Sequence, residues 1–217
     1  MAYAASAAGV SRGDEPLFDP PREVEPVSAV RGTLLLIDWR WLRENRLFDA
    51  YAAALGRSRA LLDATASEWV PFSLGIAHWE ALDALELSRE QQVAMGRFMG
   101  EHAHNIVLAT LVRLAGKLGM SPWPALAQCH KLWIRSWRGG AMAAYRTGAR
   151  SARVELFQAS VVGKWSFRTG IVGTVLAGLE PFCHRASVVE DAEARTPTSI
   201  ALRLTWHSRD SEAPKKK

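Results

Sequence analysis

Six residues between positions 133 and 150 carry the strongest suggestion of chemistry: Trp133, Arg135, Trp137, Arg138, Arg146 and Arg150. Guanidinium groups beside indole faces, next to Gly139 and Gly140, suit a phosphate or carboxylate ligand through charge-assisted hydrogen bonds and cation-π contact. They lie in a block of one sign. Between Glu101 and Glu155 there is no Asp or Glu, while Arg113, Lys117, Lys131, Arg135, Arg138, Arg146, Arg150 and Arg153 supply eight positive charges. Residues 57–101 carry four basic against seven acidic residues, a net of −3. One fold holding both blocks has a polarised surface, and the basic block 102–154 suits nucleic acid or an anionic lipid surface. The competing reading is that these cations are solvated or pair with the acidic segment, and that the Trp residues are core.

The histidines offer a second chemistry. Glu101-His102-Ala103-His104 contains one Glu-x-x-His, the unit from which di-iron bundles are built, but such sites need a second unit and two further carboxylates, and neither is found. His102 and His104 point about 200° apart on a helix, so they do not share a metal; either one alone could ligate a haem iron or another metal. His130 and His184 adjoin Cys129 and Cys183, but no short spacing repeats as zinc sites require. No metal or cofactor is assigned from these residues. Two cysteines far apart in sequence, with no C-x-x-C, fit reduced, buried thiols in a cytoplasmic protein. There is no G-x-S-x-G, P-loop, G-x-G-x-x-G after a strand, or H-E-x-x-H, so the sequence gives no ground for assigning an enzyme.

These residues must be positioned by a body large enough to bury a core. Residues 1–31 combine small residues with four prolines and five acids and show no periodicity, which predicts a disordered arm; residues 207–217 end in three lysines and predict a disordered basic tail. Residues 32–206 form one domain. No apolar run approaches the roughly 20 residues of a membrane span. The centre of the domain is Arg89 to Leu118, whose apolar residues recur at threes and fours after a Ser88-x-x-Gln91 capping box. Residues 32–39 are compatible with strand or helix. Helices are predicted from Trp41 to Leu55, Ser58 to Trp69, His78 to Leu85 and Ser121 to Arg138, with a linker over Phe72 to Ile76.

Beyond Gly140 the period shortens to two. Met142 to Thr147 and Arg153 to Gln158 predict a hairpin with a four- or five-residue loop. Ser166 caps a helix over Phe167 to Leu179, whose strip of Gly170, Gly173 (or Thr174), Ala177 and Gly178 allows close packing on a neighbour. Ala186 to Val189 and Ser199 to Trp206 predict two more strands, the second alternating cleanly. The fold class is α+β: an N-terminal helical body of about five helices on a small C-terminal antiparallel sheet with one crossing helix.

With Tyr145-Arg146-Thr147, the hairpin, the helix containing Gly170 and a closing strand that ends in Thr205-Trp206, the chain resembles an uncharacterised paralogous family expanded in myxobacteria. That family is similar in fold order to vinyl-reductase-type ligand-binding domains, haem-associated nitric-oxide sensors and tethering-complex subunits. The order of helices then strands, the high Trp content and the missing catalytic motifs point to a non-enzymatic sensory, signalling or protein-interaction module, with a small apolar or anionic ligand or a protein partner; the resemblance adds a homodimer, since the fold relatives pair through helices, and carries over no catalytic residue.

Overall fold

The computed structural model describes residues 14–19, 21, 23–103 and 120–207. Within them the body starts earlier than composition suggests. Strand β1 (Glu15–Pro16) pairs with Tyr145 and Arg146, and β2 (Ala29–Arg31) is built into a second sheet. Val27 and Ser28 donate backbone hydrogen bonds to Gln158 and Arg138, and Val27, Ala29 and Val30 are buried. The expected disordered arm is therefore corrected for residues 14–31 where described: three apolar side chains reaching the core outweigh the Pro-rich, acidic surroundings. Residues 1–13 and 208–217 lie outside the described residues.

Helix α1 (Gly32–Glu44) buries Leu35, Trp39 and Leu42 at threes and fours, which resolves the open reading of residues 32–39. It ends where Arg46 takes a positive φ of 60°, and the chain restarts as α2 (Phe48–Ala54), so the helix expected from Trp41 to Leu55 is broken in two. The helix expected to Trp69 is instead a 3-10 segment over Gly56–Asp63, because Trp69 is taken into β3 (Trp69–Pro71) beside β2. Phe72 to Ile76, expected as a linker, opens α3 (Phe72–Ala84), with Pro71 placed just before it where a missing N–H leaves no helical bond unmade.

Helix α4 (Arg89–His102) begins with the expected capping box: Ser88 Oγ accepts from the Gln91 N–H at 3.3 Å, and Gln91 Oε1 accepts from the Ser88 N–H at 2.9 Å. The remainder of the expected central helix, 104–118, lies outside the described residues. Next come α5 (Trp123–Leu126) and α6 (Cys129–Ser136); the helix expected to Arg138 stops early because β4 (Trp137–Arg138) is recruited as a third strand beside β2. Strands β5 (Ala141–Gly148) and β6 (Ser151–Phe157) form the expected hairpin, closed by two residues rather than four or five. Helix α7 (Trp165–Leu179), β7 (Arg185–Thr196) and β8 (Ser199–His207) complete the chain.

The α+β class is as expected, with two antiparallel sheets. The larger has the order β1-β5-β6-β8-β7 and the smaller β3-β2-β4. Strand β8 thus lies inside its sheet, its Leu202 and Leu204 buried, while β7 forms an edge. Between Asp191 and Thr196 that edge advances five residues against two on β8. The bulge and the charges of Glu190, Asp191, Glu193 and Arg195 blunt an otherwise open strand.

Helices α4 and α7 meet backbone to backbone. A Cβ built on Gly96 would lie 1.8 Å from the Gly170 carbonyl oxygen, one on Gly173 would lie 2.1 Å from that of Val93, and one on Gly100 would lie 2.8 Å from that of Thr174. Thr174 Oγ1 donates to the Gly96 carbonyl at 3.0 Å. Gly170, Gly173 and Ala177 of the small-residue strip read from the sequence form the α7 side of this seam, while Gly178 lies off it. Ser166, however, is not the cap. Lys164 occupies that position, and the Ser166 N–H donates to Asp83 Oδ1 at 2.7 Å, so a carboxylate from α3 satisfies the first turn of α7. Gly96→Ala forces the two helices apart and is expected to cost about 3 kcal/mol. Gly178→Ala meets nothing within 4 Å and is expected to add about 0.5–1 kcal/mol of stability; urea unfolding of the two variants checks both signs.

Candidate functional site

Two of the six singled-out residues are core. Trp133 and Trp137 are buried and stack 4.8 Å apart at 7°, Trp79 stacks on Trp137 at 5.2 Å, and Phe167 stands edge-on to both Trp79 and Trp137 at 5.9 Å. The Trp133 indole N–H donates to the Gly139 carbonyl at 3.0 Å. The four arginines divide between two places. Arg135 is exposed on α6, and Arg138 on β4 sets its guanidinium 4.7 Å from the centre of the Trp69 ring, which Arg31 approaches at 5.0 Å. Arg146 and exposed Arg150 lie at the hairpin end, roughly 15 Å along β5 from Ala141. Arg146 covers Trp123 at 4.5 Å and faces Glu15 at 3.8 Å. The six side chains do not converge on one anion site.

The basic block is partly neutralised, and from an unexpected direction. Arg153 pairs with Asp14 at 3.3 Å and with Glu155 at 3.0 Å; with Arg146 and Glu15, this puts the N-terminal acids rather than residues 57–101 opposite the block. Burial raises the Glu155 carboxyl above its ordinary range, against the lowering effect of Arg153. Arg113 and Lys117 lie outside the described residues.

His102 is exposed at the end of α4, its ring stacked 4.0 Å from Phe98 and its Nδ1 2.8 Å from the Phe98 carbonyl oxygen. His104 lies outside the described residues. His130 Nδ1 accepts a long 3.4 Å hydrogen bond from the Met142 N–H, and burial lowers its pKa. Among the described residues no three His, Cys, Asp or Glu side chains are grouped to hold a metal, and no disulfide joins Cys129 to Cys183. Burial pushes the Cys129 thiol up to about 12, so it is not a ready nucleophile.

A different polar group occupies the interior. The Trp39 indole N–H donates to Tyr51 Oη at 2.9 Å, Tyr51 Oη lies 2.7 Å from His78 Nδ1, and His78 Nε2 lies 3.0 Å from Asp38 Oδ2. All four residues are buried. An indole N–H can only donate, so Tyr51 Oη accepts from Trp39; with the tyrosine proton on the Nδ1 side, the Nε2–H of His78 faces the carboxylate. Carboxylate, imidazole and hydroxyl in that order resemble an activated nucleophile, but Tyr51 and His78 have no exposed surface. The chain instead ties α1, α2 and α3 together. Its one local trace in the sequence is a polar residue inside an apolar run, Asp38 after Leu34–Ile37 and His78 between Ala77 and Trp79.

No protein-family model matches the chain, and no curated protein matches it. Solved structures do. An unliganded Fe(II) H-NOX protein from K. algicida is 11% identical with a TM-score of 0.57, over 82% of this chain and 97% of that one. The fold is the H-NOX fold. A mutant of the T. tengcongensis H-NOX is 13% identical with a TM-score of 0.55, over 81% and 97% of the two chains. An oxygen-binding H-NOX domain related to soluble guanylate cyclases is 12% identical with a TM-score of 0.52, over 81% and 94%. This chain therefore matches 94–97% of the length of these H-NOX structures at an identity that shows architecture alone.

Tyr51→Phe leaves the Trp39 N–H and His78 Nδ1 without a partner and is expected to cost about 2–4 kcal/mol in urea unfolding. Asp38→Asn keeps an acceptor for His78 and removes a titrating group. Desolvation holds the Asp38 carboxyl above its ordinary value, against the lowering effect of His78. A raised acid pKa stabilises the native state below the unfolded value and loses that contribution as pH rises through the folded one. The wild-type protein is therefore expected to lose stability relative to Asp38→Asn as pH rises above about 4, read from urea midpoints at a series of pH values.

Proposed function

We propose that this chain is a non-enzymatic sensory or protein-interaction module built on the H-NOX fold. The observation that carries the reading is the extent of the likeness: 94–97% of the length of the H-NOX chains described above is matched, which supports a fold of the same overall plan. The buried polar chain and the unreactive Cys129 support a non-enzymatic role, since the Tyr51 hydroxyl is sealed from solvent and burial keeps the Cys129 thiol protonated.

Structures of H-NOX proteins include studies of haem distortion, and His102 or His104 is the position at which a haem would be sought here. The described residues do not build a pocket for it. Both ring nitrogens of buried His78 are engaged, by Tyr51 and by Asp38. His102 keeps Nε2 uncommitted but lies exposed on Phe98. Between α4 and α7, glycine contact leaves no space for a flat macrocycle. Two surface hollows stand out: one of about 270 Å³ lined by Arg89, Glu90, Val93, Ala94 and Arg97, the other of about 390 Å³ lined by Arg43, Arg46, Phe48 and Asp49. Both are open at the surface rather than enclosed, and charged residues stand at their edges. The module accordingly acts through a small ligand or a partner protein, including a second copy of itself.

Native mass spectrometry, light scattering and the absorption spectrum of freshly purified protein test this. A bound small molecule or a dimer, without a Soret band before or after haem addition, is the expected outcome. An empty, strictly monomeric protein overturns the reading. A Soret band lost on His102→Ala or His104→Ala replaces it with haem binding.

A further inference from the structure

Helix α6 and strand β4 carry cations that the ion pairs described above do not reach. Lys131, Arg135 and Arg138 are exposed, Arg31 is half-buried on β2, and among the described residues none of the four pairs with a carboxylate. At 100° per residue, Lys131 and Arg135 fall about 40° apart on α6, both on the side opposite buried Trp133. Arg138 follows buried Trp137 in an extended strand and so points the other way from it. The same Trp133–Trp137 stack thus directs all three cations outward. Beside them on α6, Ile134 is 51% exposed, the most exposed of the large apolar side chains among the described residues.

We infer that this face, Lys131, Ile134, Arg135 and Arg138 with Arg31 and Trp69, docks on the anionic leaflet of a lipid bilayer. Cations around one protruding aliphatic side chain match a surface that is negative at the headgroups and apolar just beneath them. Ile134 protrudes, so a protein partner would have to supply a pocket for it, whereas an acyl boundary accepts it without one. Neither of the two hollows described above touches this face. Single-stranded nucleic acid would use an open aromatic face for stacking, and the Trp69 ring is already approached by two guanidinium groups, at 4.7 and 5.0 Å. Among the described residues no helix is long and apolar enough to cross a membrane, so the association is at the surface.

The test is co-sedimentation of the full chain with phosphatidylcholine vesicles, with and without phosphatidylserine, at low salt. Binding is expected only with phosphatidylserine, and to weaken as salt is raised. The double variant K131E/R135E should bind at least about 25-fold more weakly, at about fivefold per cation near an anionic surface. Ile134→Asp should weaken binding several-fold more than Ile134→Ala does. The control R57E/R59E changes charge equally at two exposed positions elsewhere and should bind as the wild type does. Equal binding to both vesicle types, no binding to either, or equal losses for the control and K131E/R135E overturns the proposal. So does tighter binding to a short DNA duplex or to polyglutamate than to the vesicles, lost in K131E/R135E and unaffected by Ile134→Asp. Unchanged circular dichroism shows that each variant is folded.

Discussion

Contact between two helix backbones is the constraint on which this structure depends. Helix α4 belongs to the N-terminal helical half, α7 lies between two strands of the larger sheet in sequence, and they approach so closely that Gly96, Gly100 and Gly173 have no room for a side chain. Large side chains would still allow a helical pair, but at the usual spacing of 8–10 Å. The fold would then lose the register between its halves. Neighbouring contacts depend on that spacing: Asp83 on α3 reaches the first turn of α7, Ser166 Oγ donates to the Trp79 carbonyl at 3.1 Å, and Lys164 meets Glu80 at 2.7 Å. Phe167, in the same turn, is thereby brought edge-on to the stacked indoles.

Much of this arrangement was legible because some segments carry their own signals. The Ser88 and Gln91 pair announces the start of α4, the glycines of α7 announce its packing, and alternation along Ile200 to Trp206 announces an inner strand. The smaller sheet was not legible. Its strands are two or three residues long, too short for a period, and they come from positions near 30, 70 and 137, so that only the folded chain shows Val30 beside Val70 and Trp137. The N-terminal segment misled for a related reason. Composition averages over thirty residues, whereas burial of Val27, Ala29 and Val30 is a local fact.

The candidate site shows the same division between local and long-range information. Aromatic residues among arginines can mean a binding surface or a core beneath solvated charge, and spacing does not separate the two. Coordinates separate them residue by residue: the α6 and β4 indoles face inward and their arginine neighbours outward. Asp38, Tyr51 and His78 were missed because they come together over separations of 27 and 40 residues. No short motif spans that distance, and a histidine within an apolar run has too many ordinary explanations to be singled out.

The place of β8 has a consequence for how the protein is made. Sequence order puts this strand after every other one, yet it sits between β6 and β7, each of which needs it as a hydrogen-bonding partner. While the chain emerges from the ribosome, β5 and β6 can close their hairpin, but one side of β6 and the hydrogen-bonding edge of β7 stay unpaired until residues 199–207 arrive. Closing such distant pairs late is slow compared with forming local helices. The nascent protein therefore passes through an interval with an uncovered strand edge, the state in which chaperones bind and mispairing begins.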